Sequence, residues 1–161
     1  MTNDIIPYGK HFIDEDDIKA VENVLRYKNL TQGDEISLFE NALANNVGSK
    51  YAVAFSSWTA GLHAACVVSG ISSEDAVITS PITFVASSNS VLYCGAKPIF
   101  SDINNNSINI CPEKLEHTIK SNPNVKAIIP VHFAGLSCDM KKIKILADKY
   151  NLIIIEDAAH A

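Results

Sequence analysis

The chain has 161 residues, enough for one ordinary domain with a real hydrophobic core. Hydrophobic residues make up 47% of it and charged residues 19%, which is typical of a globular protein and not of a disordered one. The net charge of −5 at pH 7 gives no electrostatic reason to expect a nucleic acid or an anionic membrane as partner, although a local basic patch is compatible with a phosphorylated ligand.

The sequence shows no targeting segment, membrane span or cysteine framework. Residues 1–6 lack the basic and long apolar stretches of a signal peptide, and no apolar run approaches the roughly 20 residues that span a membrane. The cysteines are scattered and form no Cys-x-x-Cys pair: Cys66, Cys94, Cys111 and Cys138. This spacing argues against a zinc site or a disulfide framework, so we expect free thiols in a cytoplasmic protein.

The first fifty residues predict a helical arm. Asp14 is a good N-cap for a helix that carries Ile18, Val21 and Leu25, and the acids of its first turn suit the helix dipole. After a turn at residues 30–33, residues 34–46 have apolar side chains at helical spacing. No strand precedes these helices, so we assign residues 1–48 to an N-terminal arm.

From residue 49 onward, short apolar runs alternate with amphipathic stretches. The predicted strands are 51–55, 76–79, 98–101, 125–131 and 152–156, and the predicted helices are 59–69, 84–94, 112–121 and 139–150. Continuous aliphatic strands are buried on both faces, as in parallel sheets, and this alternation is typical of βαβ units. We therefore predict an α/β fold with a mostly parallel sheet and flanking helices over residues 49–161.

Ligands of open parallel sheets bind beyond the carboxyl ends of the strands, and four segments follow strands here. Ser57 and Thr59 begin a helix, where free amides and hydroxyls suit a phosphate, but a helix cap is the more common role of a serine such as Ser57. Phe84 is placed to lie against a flat ring, although a phenylalanine at a helix start is more often core. His132 either lines a pocket or has a structural role.

The fourth segment, residues 156–160, places acids directly after a buried strand. A carboxylate there needs a partner, preferably a cation. Asp157 and His160 are three residues apart and share a face on a helical turn, but two ligands do not make a metal site. The alternative for Asp157 is a helix cap.

Together, these segments supply a phosphate cradle, a flat aromatic side chain and a carboxylate at one edge of one sheet. A phosphorylated heteroaromatic ring with a protonated nitrogen needs these three parts, because a nearby carboxylate favours the charged form of the nitrogen. Pyridoxal 5'-phosphate (PLP) fits this description.

The same segments carry a resemblance to a known family. The chain resembles the DegT/DnrJ/EryC1/StrS sugar aminotransferases, which have the fold-type-I PLP architecture, over nearly its whole length. The matching motifs are Pro7-Tyr8-Gly9-Lys10, Leu30-Thr31-Gln32-Gly33, Phe39-Glu40, Val53-Ala54-Phe55-Ser56-Ser57, Pro81-Ile82-Thr83-Phe84-Val85-Ala86, Pro130-Val131-His132-Phe133-Ala134-Gly135 and Glu156-Asp157-Ala158-Ala159-His160-Ala161. Each motif is weak alone, whereas their order and spacing are specific.

The resemblance implies a role for each site residue. The implied cofactor-binding residues are Ser57, Trp58, Thr59, Phe84, Asp157 and His160. Asp157 pairs with the pyridine nitrogen, His160 lies near the ring hydroxyl and Phe84 stacks on the ring, while Thr59 and its neighbouring amides hold the phosphate. Thr31 and Gly33 lie in the arm near the substrate.

Trp58 departs from the family pattern, which usually has a small residue, often glycine, at this position. Glycine lets the backbone approach a phosphate closely. A tryptophan here either crowds the phosphate or points its side chain away, and the sequence leaves both alternatives open.

The resemblance also implies an activity: transamination of a nucleotide-linked 4-keto-6-deoxy sugar with glutamate as donor, as in pseudaminic acid synthesis. Such enzymes are homodimers with active sites completed across the interface. The Schiff-base lysine of the family lies roughly two dozen residues beyond the aspartate, and this chain has four residues after Asp157. We therefore expect no catalytic lysine and no C-terminal small domain in the chain, and negligible turnover by it alone.

Three alternatives remain at this stage. One is a sugar dehydratase of the same family that uses pyridoxamine phosphate (PMP) and has histidine in place of the lysine. Another is a non-catalytic module that binds PLP or a nucleotide sugar. An NAD-dependent dehydrogenase is weaker, because no Gly-x-Gly-x-x-Gly follows any predicted strand.

Overall fold

The computed structural model describes residues 9–161. The prediction that residues 1–6 are not a signal peptide therefore concerns residues outside the described part of the chain, as do the motif residues Pro7 and Tyr8. The chain divides into two compact units. The first unit ends at Ala54, and the second is Phe55–Ala161. In the described part, no helix is long and apolar enough to cross a membrane.

The first unit contains two helices, α1 (Glu15–Tyr27) and α2 (Asp34–Val47). Asp14 caps α1 by accepting from the amides of Asp16 and Asp17, and the Asp17 side chain accepts from the Asp14 amide in return. This reciprocal capping box satisfies amides that have no partner inside the helix. Both predicted helices are confirmed.

The predicted strand at residues 51–55 is wrong. Residues 51–55 form no strand, and Tyr51 and Val53 are exposed. The Ala54 amide donates to the carboxylate of Glu40 at 2.8 Å instead of to a neighbouring strand. The apolar sequence resembles a buried strand, but a strand forms only where a neighbour supplies hydrogen-bonding partners.

The second unit contains a four-stranded parallel sheet, which confirms the predicted fold class. Its strands are β1 (Ala76–Thr79), β2 (Lys97–Phe100), β3 (Val125–Ile129) and β4 (Ile153–Ile154). Their order across the sheet is β2-β1-β3-β4, and every neighbouring pair is parallel. The carboxyl ends of β1, β3 and β4 therefore meet at one edge.

Four helices cover the sheet: α3 (Trp58–Val68), α4 (Ala86–Tyr93), α5 (Pro112–Lys120) and α6 (Met140–Tyr150). A short 3-10 turn, Phe133–Gly135, follows β3. The prediction that α4 begins at residue 84 is wrong by two residues. Phe84 precedes the helix, because its carbonyl accepts from the Ser87 amide in a tight turn.

The core consists of two clusters on opposite faces of the sheet. Val77 packs with the α3 and α4 residues Leu62 and Val91 on one face. Its neighbour Ile78 packs with Leu115 of α5 and with α6 on the other face. Successive strand residues point to opposite sides, so a strand that is apolar throughout joins both clusters.

Candidate active site

A cavity of about 190 Å³ lies just beyond the carboxyl ends of β1, β3 and β4. Its wall is formed by the start of α3 and by the segments that follow these three strands. The lining residues are Trp58, Thr59, Thr83, Phe84, Ala86, Val131, His132, Phe133, Asp157, Ala159 and His160. The structure thus brings together five of the six residues that the sequence assigns to a cofactor, and Ser57 is the one that does not line the cavity.

Asp157 is the buried carboxylate of the site, with 5% of its surface exposed. Its backbone extends the sheet: its amide donates to the Pro130 carbonyl at 2.9 Å, and its carbonyl accepts from the His132 amide at 3.1 Å. These backbone bonds hold Asp157 at the carboxyl end of the sheet. The sequence predicted this position, because Asp157 follows a buried strand.

Two neutral side chains donate to this carboxylate. The Ser87 hydroxyl donates to Oδ2 at 2.6 Å, and the indole Nε1 of Trp58 donates to Oδ1 at 2.7 Å. The Ala159 amide makes a longer contact of 3.4 Å with Oδ1. Within residues 9–161, no lysine, arginine or histidine forms an ion pair with Asp157. A buried acid with only neutral donors favours a cationic ligand.

Trp58 points into the cavity and not away from it. The indole is 44% exposed and contacts Asp157 across 99 positions of sequence. The two alternatives for Trp58, crowding of the phosphate and a side chain that points away from it, stay predictions. The sequence gives no signal for the bond to Asp157, because the bond depends on the packing of α3 beside β4.

The start of α3 has the features of an anion site. Ser57 caps the helix, and its hydroxyl accepts from the Ala60 amide at 3.2 Å. The first amides of a helix have no acceptor within it, which leaves those of Trp58 and Thr59 available to an anion. Thr59 lines the cavity, whereas the hydroxyl of Ser57 is engaged in the cap.

Phe84 is not a core residue, because 72% of its surface is exposed. It lies in the turn between β1 and α4 and lines the cavity. A large exposed aromatic ring on a cavity wall is available for stacking on a flat ligand. The sequence suggested this role, although core burial was the more common alternative.

His132 is buried, and both of its ring nitrogens have protein partners. Nδ1 accepts from the Cys138 amide at 3.1 Å, so Nε2 carries the proton and donates to Glu156 at 2.8 Å. The ring therefore ties the segment after β3 to the segment after β4, and it also lines the cavity. His132 therefore has a structural role and also lines the cavity, so the two alternatives for this residue are compatible.

Two polar residues of the site were missed by the sequence analysis. Ser87 donates to Asp157, and Thr83 lies 2.7 Å from the Ser87 hydroxyl and lines the cavity. Serine and threonine at a helix start are ordinary capping residues, so their type gave no signal. Their position close to Phe84, one residue before it and three residues after it, is the feature that pointed to the site.

Cys138 lies beside the site but is not a nucleophile. Its thiol donates to the Val131 carbonyl, and burial raises the pKa of the thiol to about 11. Almost none of it is therefore thiolate at neutral pH.

Thr31 and Gly33, the predicted substrate residues, belong to the first unit. Gly33 is the N-cap of α2, and a Cβ on it would lie 2.4 Å from the Asn29 carbonyl oxygen. Glycine is required there by the local turn. A substrate role for these two residues stays a prediction.

A model of the DegT/DnrJ/EryC1/StrS aminotransferase family matches residues 11–161. The chain belongs to this family. It is 43% identical, over 99% of its length, to the spore coat polysaccharide biosynthesis protein SpsC of Bacillus subtilis, of which it covers 40%. It is 39% identical over its full length to the UDP-4-amino-4-deoxy-L-arabinose–oxoglutarate aminotransferase of Shewanella sediminis, of which it covers 41%.

Solved structures agree with the family in fold. Helicobacter pylori PseC, an aminotransferase involved in pseudaminic acid biosynthesis, superposes with a TM-score of 0.87 at 37% identity, over 96% of this chain and 42% of PseC. Bacillus subtilis NtdA with bound PMP superposes with a TM-score of 0.83 at 35% identity, over 91% of this chain and 34% of NtdA. PMP is the amino form of PLP, so the predicted cofactor is confirmed for this family.

The chain spans about 40% of the length of the curated relatives that it matches. The matched part contains the cavity and all the residues that line it.

Proposed function

We propose that this chain forms the cofactor-binding part of a PLP-dependent aminotransferase that acts on a nucleotide-linked 4-keto-6-deoxy sugar, with glutamate as amino donor. One observation carries the proposal: Asp157 is buried at the strand mouth, has only neutral donors and shares its cavity with an exposed aromatic ring and a helix N-terminus. A pyridinium phosphate supplies the cation, the flat ring and the anion that these groups favour.

The residues present fit the cofactor by their chemistry. When bound, PLP supplies an electron sink for reactions at an amino-bearing carbon. Asp157 would hold the proton on the pyridine nitrogen, because a carboxylate favours the charged form. Phe84 would lie against the ring, and Thr59 with the first amides of α3 would hold the phosphate.

Proton transfer at the substrate carbon needs a base, and among residues 9–161 no lysine lines the cavity. We propose that the residues described here bind and orient the cofactor, while the family's lysine performs the transfer. His132 keeps the two segments after β3 and β4 in register through its bonds to Cys138 and Glu156. On this proposal, the chain alone does not turn over.

The substrate class is supported by the relatives. The Shewanella relative is named for a UDP-linked amino sugar and oxoglutarate, and PseC for pseudaminic acid biosynthesis. We propose a related keto sugar here, with Thr31 and Gly33 near it. A homodimer is part of the proposal, since apolar side chains of the first unit such as Leu25 and Phe39 are 63% and 59% exposed.

The cofactor part of the proposal is tested by calorimetric titration of the chain with PLP. We expect the wild type to bind and Asp157→Asn to bind at least tenfold more weakly, because the amide does not compensate the pyridinium charge. Asp148→Asn, an exposed acid of α6, is the matched control and should bind like the wild type. Equal affinity of wild type and Asp157→Asn contradicts the assignment.

The substrate part needs an enzyme of the relatives' full length that contains these residues. Incubation with glutamate and a UDP-linked 4-keto-6-deoxy-N-acetyl hexose should give 2-oxoglutarate and, by mass spectrometry, a sugar with an amino group in place of the keto oxygen. A sugar that has instead lost water identifies the dehydratase.

A further inference from the structure

The indole of Trp58 donates a hydrogen bond to one oxygen of the buried Asp157 carboxylate. Its Nε1 donates to Oδ1 of Asp157 at 2.7 Å, and both residues line the cavity. An indole is a flat aromatic ring with one N–H donor, and so is a pyridinium. The protein thus presents to Asp157 a flat aromatic N–H donor, as the pyridinium of the proposed function would, although the indole is neutral and bicyclic.

Gly61 provides the surface on which the indole lies. A Cβ added to Gly61 would be 3.0 Å from Cε3 and 3.1 Å from Cζ3 of Trp58. These distances are shorter than ordinary van der Waals contacts, so any other residue at this position would push the indole. The missing side chain at Gly61 therefore leaves room for the indole in the orientation that reaches Asp157.

The two donors to Asp157 differ in how easily they can leave. Ser87 is fully buried and does not line the cavity. Trp58 is 44% exposed. Because only 5% of Asp157 is exposed, a ring nitrogen that approaches from the cavity must take the place of a present neighbour. The indole is the neighbour on the cavity side.

We propose that Trp58 is a stand-in for the cofactor ring: its indole satisfies Asp157 in the cofactor-free protein and leaves Oδ1 when the pyridine nitrogen binds. This inference rests on the proposed function and goes beyond it, since it assigns Trp58 a positioning role in cofactor loading. Without the indole, a buried carboxylate would lack one of its donors until the cofactor arrives. With it, the cofactor has to compete for Oδ1.

Competition predicts the effect of substitution on affinity. Trp58→Phe keeps an aromatic ring but removes the N–H donor, so Asp157 Oδ1 is open before binding. We expect the affinity for PLP to rise about tenfold, the effect of removing one competing hydrogen bond to a charged group. Tyr93→Phe, an exposed aromatic residue of α4 that does not line the cavity, is the matched control and should leave affinity unchanged.

The indole can be observed directly, because Trp58 is the single tryptophan of the chain. In the ¹⁵N-labelled protein, its Nε1–H gives one indole resonance. We expect a hydrogen-bonded chemical shift in the free wild type and a different shift in Asp157→Asn. Saturation with PLP should move the wild-type resonance away from the hydrogen-bonded position and speed its exchange with water.

Gly61→Ala tests whether the space at Gly61 is needed for the position of the indole, and it keeps the indole itself. The added methyl group should displace the ring and shift the resonance in the free protein toward that of Asp157→Asn. The same variant should bind PLP more tightly than the wild type. Ala64→Gly, which alters the same helix at a residue that does not line the cavity, controls for changes in helix propensity.

The outcomes separate this inference from the proposed function. An indole resonance that is insensitive to Asp157→Asn overturns the inference whether or not PLP binds. PLP binding that leaves the resonance unmoved also overturns it, while the proposed cofactor site stands. Tighter binding by Trp58→Phe than by the wild type supports both, and absence of binding by every variant overturns both.

Discussion

At the scale of single residues, the site depends on a few side chains whose partners are distant in sequence. Asp157 meets Ser87 and Trp58 from two different helices, 70 and 99 positions away. The residue types at these positions were readable, and an acid after four aliphatic residues indicated a site. The partners of Asp157 could not be predicted, because serine and tryptophan have many roles in proteins. Only the packing of α3 and α4 on the sheet brings Trp58 and Ser87 to the carboxylate.

Gly135 holds the segment after β3 against the segment that carries His160. It has a φ of +86°, and a Cβ on it would lie 2.9 Å from the His160 carbonyl oxygen. We expect Gly135→Ala to lower the free energy of unfolding, measured by urea denaturation, by more than the ~1–2 kcal/mol of the left-handed backbone alone. PLP affinity should fall as well, because the methyl group displaces the cavity wall.

Gly48 is the matched control for this prediction. It has a similar φ of +68°, but a Cβ there meets nothing within 4 Å. Gly48→Ala should therefore show the backbone cost alone and leave PLP affinity unchanged. Equal losses of stability and affinity in the two variants would show that the contact with His160 has no role.

At the scale of elements, the periodicity of the chain predicted most helices and strands within two residues. β1 has the predicted bounds, and α5 and α6 differ by one residue at one end. The helices are amphipathic or capped by local residues, and the strands are uniformly aliphatic, so local sequence determines them. Residues 51–55 are different, because strand formation there depends on a neighbour that local sequence does not specify.

The predicted helix start at residue 84 failed for a related reason. Phe84 has the pattern of a core residue at a helix start, but its carbonyl closes a turn with Ser87. The turn leaves the phenyl ring exposed at the cavity. Departures from the local pattern are concentrated at functional sites, and this one places an aromatic ring where the cofactor is proposed to lie.

Glu116 of α5 links this helix to α6. It accepts from Lys149 at 2.8 Å and from the Tyr150 hydroxyl at 3.0 Å, and it pairs with Lys120 of its own helix. The hydrogen bonds from Lys149, Tyr150 and Lys120 lower the pKa of Glu116 from 4.5 to about 2. A carboxylate with a lowered folded-state pKa stabilises the fold above its unfolded pKa.

This stabilisation is therefore present at neutral pH and is lost as the pH falls from about 4.5 to about 2. We expect Glu116→Gln to reduce stability at neutral pH and to differ little from the wild type at the acid end of that range. Thermal unfolding across pH measures it, and the effect should weaken in high salt because the pair is at the surface. A Glu116→Gln penalty that is constant with pH contradicts the assignment.

At the scale of the whole molecule, the described residues form a helical first unit and a parallel α/β unit that contains the entire cavity. The family, the fold class and the cofactor were predictable because motif order, strand pattern and site chemistry all pointed the same way. The position of the Trp58 side chain was not predictable, and it adds a hydrogen-bond donor to Asp157. Asp157, the proposed partner of the cofactor, accepts a hydrogen bond from Trp58, a residue type that the family resemblance did not lead us to expect at this position.

The central claim is that Asp157 is the partner of the pyridine nitrogen of PLP. The most direct test is the ¹⁵N chemical shift of ring-labelled PLP bound to the chain, recorded over a range of pH above neutrality. We expect a protonated nitrogen in the wild type and in Asp148→Asn, and loss of that proton at lower pH in Asp157→Asn, because only Asp157 compensates the ring charge. A ring nitrogen that titrates identically in wild type and Asp157→Asn would contradict the account.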